Sequence, residues 1–409
     1  MRTGGVLCLL WAILLPVLAP DPAQARQEVK LGGYLKSLDL YLEAPPSGPI
    51  GYGAASSNRL RLDLTGDVRG LDYEVSVEDQ LLFTDPAGYL PLPEGSVNRL
   101  VDLARAWNES GRFADRLEVD RLNVGGSVAG SEWRAGRQAI GFGRIALFSP
   151  LDIIAPFAPD AIDTDVRPGV DALRLVRYFG LGGQLGGTVV LGDGPRRNSY
   201  LATFSENRAG LDLLAIGGTL RDRPVLGVGL AGSLGPLGLK GEIAGYRGND
   251  AGRPGGDLHR HFAIGAVEAW YRFAAGPILL AEYLYNGAGA AEPADYPAAY
   301  ASAAYREGLS FLAGRHYLLL GPSWEVHPLV TLNGLVIWNL EDDSALLRPL
   351  VELSLSDNTT LQLFWTVSRG PAPRAPLPNL PNLPNLPPVP RSEFGSFGDS
   401  GGLFLKYFF

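Results

Sequence analysis

Cysteine is almost missing from this chain: the one thiol, Cys8, lies within the first 25 residues. A chain cleaved after that segment has no disulfide and no cysteine metal ligand. No stretch beyond residue 25 stays apolar over the roughly 20 residues that a spanning helix needs, which argues against helical membrane insertion. Positive charge is in deficit, with 35 Lys and Arg against 43 Asp and Glu, so nucleic acid is a poor partner. Histidine occurs only four times. What the sequence has in quantity is glycine, 53 residues, together with 16 Tyr, 16 Phe and 7 Trp. Glycine and aromatics dispersed through short alternating segments are the composition of a barrel wall.

Arg2, the apolar run 6–18 interrupted by Pro16, and Ala23-Gln24-Ala25 have the layout of a secretory signal with a small-residue cleavage site. Cleavage is expected after Ala25, leaving a single domain over 26–409 with 34 basic and 42 acidic residues.

Two-residue alternation is the strongest local pattern. Leu71, Tyr73, Val75 and Val77 interleave with Asp72, Glu74, Ser76 and Glu78. Leu60, Leu62 and Leu64 interleave with Arg59, Arg61 and Asp63, and Leu361, Leu363, Trp365 and Val367 with Thr360, Gln362, Phe364 and Thr366. In a strand this places one set on each face, and an apolar face backed by a charged one suits a wall between lipid and water. About eighteen strands are expected, with sixteen as the other count. They lie near 28–43, 58–68, 71–83, 115–128, 131–141, 169–179, 182–191, 198–205, 210–220, 225–233, 237–247, 260–273, 277–286, 314–326, 329–339, 346–356, 359–369 and 397–409.

The connections decide between a soluble sheet and a barrel. Every second one is tight: Arg69-Gly70, Ala129-Gly130, Gly180-Leu181, 206–209, Gly235-Pro236, 274–276, His327-Pro328 and Asp357-Asn358. The others include all the long ones, 44–57, 84–114, 142–168, 248–259, 287–313 and 370–396, along with three short ones near 192–197, 221–224 and 340–345. Such one-sidedness implies an all-β, single, antiparallel up-and-down transmembrane β-barrel with both termini at the short-turn end.

The chain closes on Leu403-Phe404-Leu405-Lys406-Tyr407-Phe408-Phe409, where Leu403, Leu405, Tyr407 and Phe409 share a face. This ending resembles the insertion signal of bacterial outer-membrane proteins, which implies recognition by the barrel-assembly machinery. Gly136-Arg137-Gln138-Ala139-Ile140-Gly141-Phe142-Gly143, then Ser149-Pro150-Leu151-Asp152 and Gly169-Val170-Asp171-Ala172-Leu173-Arg174, is similar to a segment of porin-like and alginate-export-type barrels. The resemblance implies that the Gly-Arg-Gln strand leads into a loop folded into the lumen.

Charges that cannot face lipid must face the lumen, because a Lys or Arg on the lipid side near the midplane costs roughly 2–4 kcal/mol. On that argument Arg59, Arg61, Asp63, Asp72, Glu74, Glu78, Arg134, Arg174, Lys240, Glu242, Glu268, Arg272, Glu282, Glu352 and Lys406 line a wet bore of mixed sign. The connection 142–168 is the expected constriction, with Asp152, Asp160, Asp163 and Asp165 set among Phe148, Ile153, Ile154 and Phe157. His259 and His261 could share one strand face, but no third metal ligand accompanies them. His316 and Ser323 lie too far apart for a nucleophile and its base. No catalytic or cofactor site is therefore expected. Residues 377–385 repeat Leu-Pro-Asn and should extend as polyproline II in a solvated outer loop. Leu100, Leu103 and Trp107 in the connection 84–114 have the spacing of a short helix, although loop packing is the default reading of such a stretch.

The expected function is a channel for passive diffusion of small hydrophilic solutes, in contact with outer-membrane lipid and either monomeric or homo-oligomeric. A structural sleeve or docking unit of an export or electron-transfer complex is the rival reading, and an outer-membrane enzyme the weakest.

Overall fold

The computed structural model describes residues 29–46, 51–86, 97–108, 111–180, 182–374 and 388–409. The leader expected over 1–25 and the Leu-Pro-Asn repeat lie outside the described residues. The chain winds as an antiparallel meander of eighteen wall strands plus one short added strand. The first wall strand, Lys30–Glu43, pairs both with Tyr52–Val68 and with the last, Ser400–Phe408, so the sheet closes on itself. Each of the eighteen expected segments forms a wall strand. The largest boundary change is at Tyr52–Val68, which begins before residue 58 because Tyr52 to Ser57 continue the ladder opposite Leu38 to Glu43.

The short connections obey hairpin stereochemistry. Arg69 and Gly70 have φ of 55° and 79°, and Ala129 and Gly130 of 50° and 75°. Two successive left-handed residues match the turn to the twist of the strands it joins. The turn expected at 206–209 is instead Ala209-Gly210, since Ser199–Arg208 stays paired up to Arg208 opposite Leu211. Both chain ends lie at this rim, where the Gly33 N–H donates to the Phe409 carbonyl at 3.0 Å.

The short helix that the spacing of Leu100, Leu103 and Trp107 allows does not form, and the stretch is not plain loop packing either: Ala104–Trp107 is a strand, with Ala104 opposite Glu118 and Trp107 opposite Asp115. Ser131–Gln138 is only eight residues long, and the chain leaves the wall after it. The outer edge of Phe113–Val128 would then carry unpaired backbone groups, and that demand outweighs a weak helical spacing.

Outward side chains are apolar and open, such as Leu62 at 45% and Val228 at 51% exposure, while Arg61 on the inner face is 3% exposed. This inside-out distribution is what hydrocarbon outside and polar groups within require. The inner face is not uniformly wet, however. Ile216, Ile264, Leu284, Leu319 and Ile337 point inward and pack with Ile145, Phe148, Leu151, Ile153 and Ile154 from the inward-folded connection. An eighteen-strand wall encloses more space than its own side chains fill. Here long connections occupy part of it with an apolar core of their own.

Candidate functional site

After Gln138 the chain turns into the barrel and does not rejoin the wall until Val170, which pairs with Gln138. The expected constriction 142–168 therefore lies inside the bore. Leu151 is its central wedge, and the wall makes room for it with glycine. A Cβ at Gly227 would sit 2.5 Å from Leu151 Cδ2, and one at Gly229 would sit 2.9 Å from Cδ1.

Three wall carboxylates hold one half of the segment through its backbone. Glu242 accepts from the N–H of Arg144 at 2.6 Å, of Ile145 at 3.3 Å and of Leu151 at 3.2 Å, and from the Ser149 hydroxyl. Glu268 accepts from Ala146 N–H at 2.5 Å and meets Lys240 at 2.7 Å, while Glu282 accepts from Phe148 N–H at 3.3 Å. Arg221 adds a guanidinium donor to the Ile154 carbonyl at 2.9 Å.

The four aspartates of the segment do not form one ring of carboxylates. Asp163 pairs with Lys36 at 3.0 Å and with Arg59, and Asp165 pairs with Lys36 at 2.7 Å and Lys406 at 3.0 Å. Asp152 is buried against Arg167 at 2.6 Å. Asp160 is exposed, and its carbonyl accepts from Arg348 at 2.6 Å. The expected filter thus becomes a set of ion pairs with one open carboxylate.

The remaining expected lining residues sit on the inner face. Arg61 bonds Asp63 and Asp120, each at 2.7 Å. Glu78 accepts from Tyr34, and Glu74 accepts from Asn123 at 3.0 Å. Glu352 accepts from Gln362 at 2.6 Å. Arg134 pairs with Asp72 and stands opposite Arg174 in register; these three line a polar cavity of about 280 Å³ with Glu132 and Tyr178. Arg272 faces the short-turn rim, opposite Ile278.

Alternation alone misses the junction beside this site. Ser76 pairs with Arg121 and Val77 with Val119, so Asp120 is an extra residue, a β-bulge. It turns Asp120 and Arg121 inward together. Asp120 then accepts from Arg61 at 2.7 Å, from Arg99 at 3.1 Å, from Gly169 N–H at 2.8 Å and from Arg121. Two adjacent charges inside an alternating strand were the available signal.

Other connections close part of the outer mouth. Arg223, fully buried, pairs with Asp257 at 2.7 Å and Glu307 at 2.6 Å. At the described ends of the Pro-rich connection Arg374 pairs with Val389 as an isolated bridge, and beyond it Glu393 and Phe394 are buried. The Glu393 carboxylate accepts from Tyr317, from Asn339 at 3.0 Å and from Ala313 N–H at 2.7 Å. Burial pushes this carboxyl up to about 7, against the lowering effect of those donors.

His259 Nε2 lies 2.9 Å from the Gly289 carbonyl, and His316 Nδ1 lies 2.6 Å from the Tyr283 hydroxyl. Among the described residues no three candidate metal ligands cluster.

No family model matches the sequence, and no curated protein matches it. Solved structures do share its fold. OccAB4 of Acinetobacter baumannii aligns with a TM-score of 0.58 at 7% identity, over 95% of this chain and 100% of that one. A BenF-like porin from Pseudomonas fluorescens Pf-5 aligns at 0.56 and 9%, over 93% and 98%, and Acinetobacter baumannii OccAB1 at 0.53 and 10%, over 95% and 99%. At these identities the likeness is one of fold.

Proposed function

We propose that this chain is an integral outer-membrane barrel that works as a porin-like channel, with small hydrophilic solutes diffusing past the inward-folded segment 142–168. The observation that carries this reading is the closed eighteen-strand wall, apolar outside and charged within, narrowed by a segment anchored to both of its sides. The fold shared with a BenF-like porin supports it. Asp152, Asp160, Asp163 and Asp165, with the cations that face them, set the charge at the narrow zone, and Asp72, Arg134 and Arg174 set it at the short-turn exit. In this reading the outward row Leu403, Leu405, Tyr407 and Phe409 is the signal taken up by the barrel-assembly machinery.

Single-channel recording in a planar bilayer tests the proposal. Steady ion-selective steps are expected. Replacing all four aspartates by Asn should alter both conductance and ion preference, and unchanged values would remove the segment from the role of constriction. The apolar packing inside the bore favours one rival, a sealed sleeve. A silent wild-type bilayer would decide for it.

A further inference from the structure

We propose that Asp163 and Asp165 staple the closing seam of the barrel, so that seating the inward segment and joining the first strand to the last are one coupled event. The seam is the pairing of Lys30–Glu43 with Ser400–Phe408. A hairpin turn holds many of the other ladders together, but this one joins strands from opposite ends of the chain and has the longest loop to close.

Lys36 stands directly opposite Lys406 across the seam and directly opposite Arg59 on its other side. Three cations therefore lie in a row on adjacent strands spaced about 4.8 Å apart. Like charges directly opposite one another destabilise a sheet, and here they are poorly solvated: the side chains of Lys36 and Lys406 are 0% and 6% exposed.

Among the described residues, the ion pairs of both lysines run only to the inward segment. Asp165 spans the seam itself, at 2.7 Å from Lys36 and 3.0 Å from Lys406. Asp163 bridges Lys36, at 3.0 Å, and Arg59. Without these carboxylates, closing the sheet would press unneutralised ammonium groups together. With them, the same closure builds an alternating cluster. The other half of the segment is held across the lumen by Glu242, Glu268 and Glu282, so its two ends can be perturbed separately.

The test uses the mature-length chain, 26–409, which has no native cysteine. Ser37 and Leu405 face each other across the seam, and Ser37→Cys with Leu405→Cys allows a disulfide to lock it. Thermal unfolding is followed in vesicles by tryptophan fluorescence and by loss of compact migration in gels. Asp163→Asn with Asp165→Asn should lower the midpoint by several degrees and slow formation of the seam disulfide. In the oxidised cysteine background the same pair of substitutions should lose most of its effect. Glu242→Gln, which loosens the other half, should lower the midpoint equally with and without the disulfide. An unchanged midpoint in the Asn variant, or an equal drop with the seam locked, would overturn the proposal. Should the Asn variant fail to fold, adding Lys36→Met and Lys406→Met removes the repulsion and should restore folding; continued failure would overturn it as well.

Discussion

Asp120 shows how one residue organises a charged interior. It accepts from Arg61, Arg99, Arg121 and the Gly169 N–H, tying two wall strands to the point where the inward segment rejoins the sheet. Asp120→Ala would leave Arg61 and Arg121, at 3% and 4% exposure, without a main counter-charge. Removing one partner of a buried ion pair costs about 3–5 kcal/mol, and the substitution is expected to fall near the lower end because Arg61 keeps Asp63 at 2.7 Å and Arg121 keeps Glu74 at 3.7 Å. Urea unfolding from vesicles measures it, and a loss below 1 kcal/mol would show that Glu74 and Asp63 suffice. At this scale the sequence was readable wherever alternation held, as for Arg59, Arg61 and Glu242. It was silent on Asp120 and Arg121, because the bulge that turns both inward breaks the period from which direction is inferred.

Among the elements, the last outer connection changes most on moving from sequence to structure. At its C-terminal end Glu393 and Phe394 are buried, the Glu393 carboxylate accepting from Tyr317 and Asn339 and the Phe394 N–H donating to the Ser344 hydroxyl. Nothing local in Ser392-Glu393-Phe394 announces this, because the partners are supplied by distant strands. The raised Glu393 carboxyl gives the docking a pH dependence. The docked state holds the proton up to about pH 7, whereas the released carboxyl titrates near 4.5. Docking is therefore strongest below about 4.5, weakens as pH rises towards 7 and stays weak above. Amide hydrogen exchange of residues 388–397, corrected for its intrinsic pH dependence, should lose protection over that interval. Glu393→Gln should flatten the profile; an identical slope in the variant would assign the effect to another group. Ala104–Trp107 teaches a related lesson: an unpaired strand edge recruits whatever chain passes beside it, whatever that chain's own spacing favours.

For the whole molecule, strand number, closure and the placement of long connections at one rim were all legible, because each is a repeat spread over the entire chain. The path of the inward segment was not, since its anchors join residues 127 and 241 positions apart. The lipid-facing surface yields its own prediction. Val228, 51% exposed near the middle of Arg223–Leu234, should face hydrocarbon, and Val228→Arg should lower folding stability in vesicles by roughly 2–4 kcal/mol. A negligible cost would place that position in water. The bulge at Asp120 also inserts one residue into its strand without changing the side on which any neighbour lies. If that single residue were deleted, Arg121 and Val119 would become neighbours in a regular ladder opposite Ser76 and Val77, with Arg116 and Glu118 still facing the bore and Leu117 and Val119 still facing outward. Such a deletion would leave the weave of the wall intact and take away the carboxylate on which Arg61, Arg99, Arg121 and the Gly169 N–H converge, so the extra residue serves the interior and not the frame.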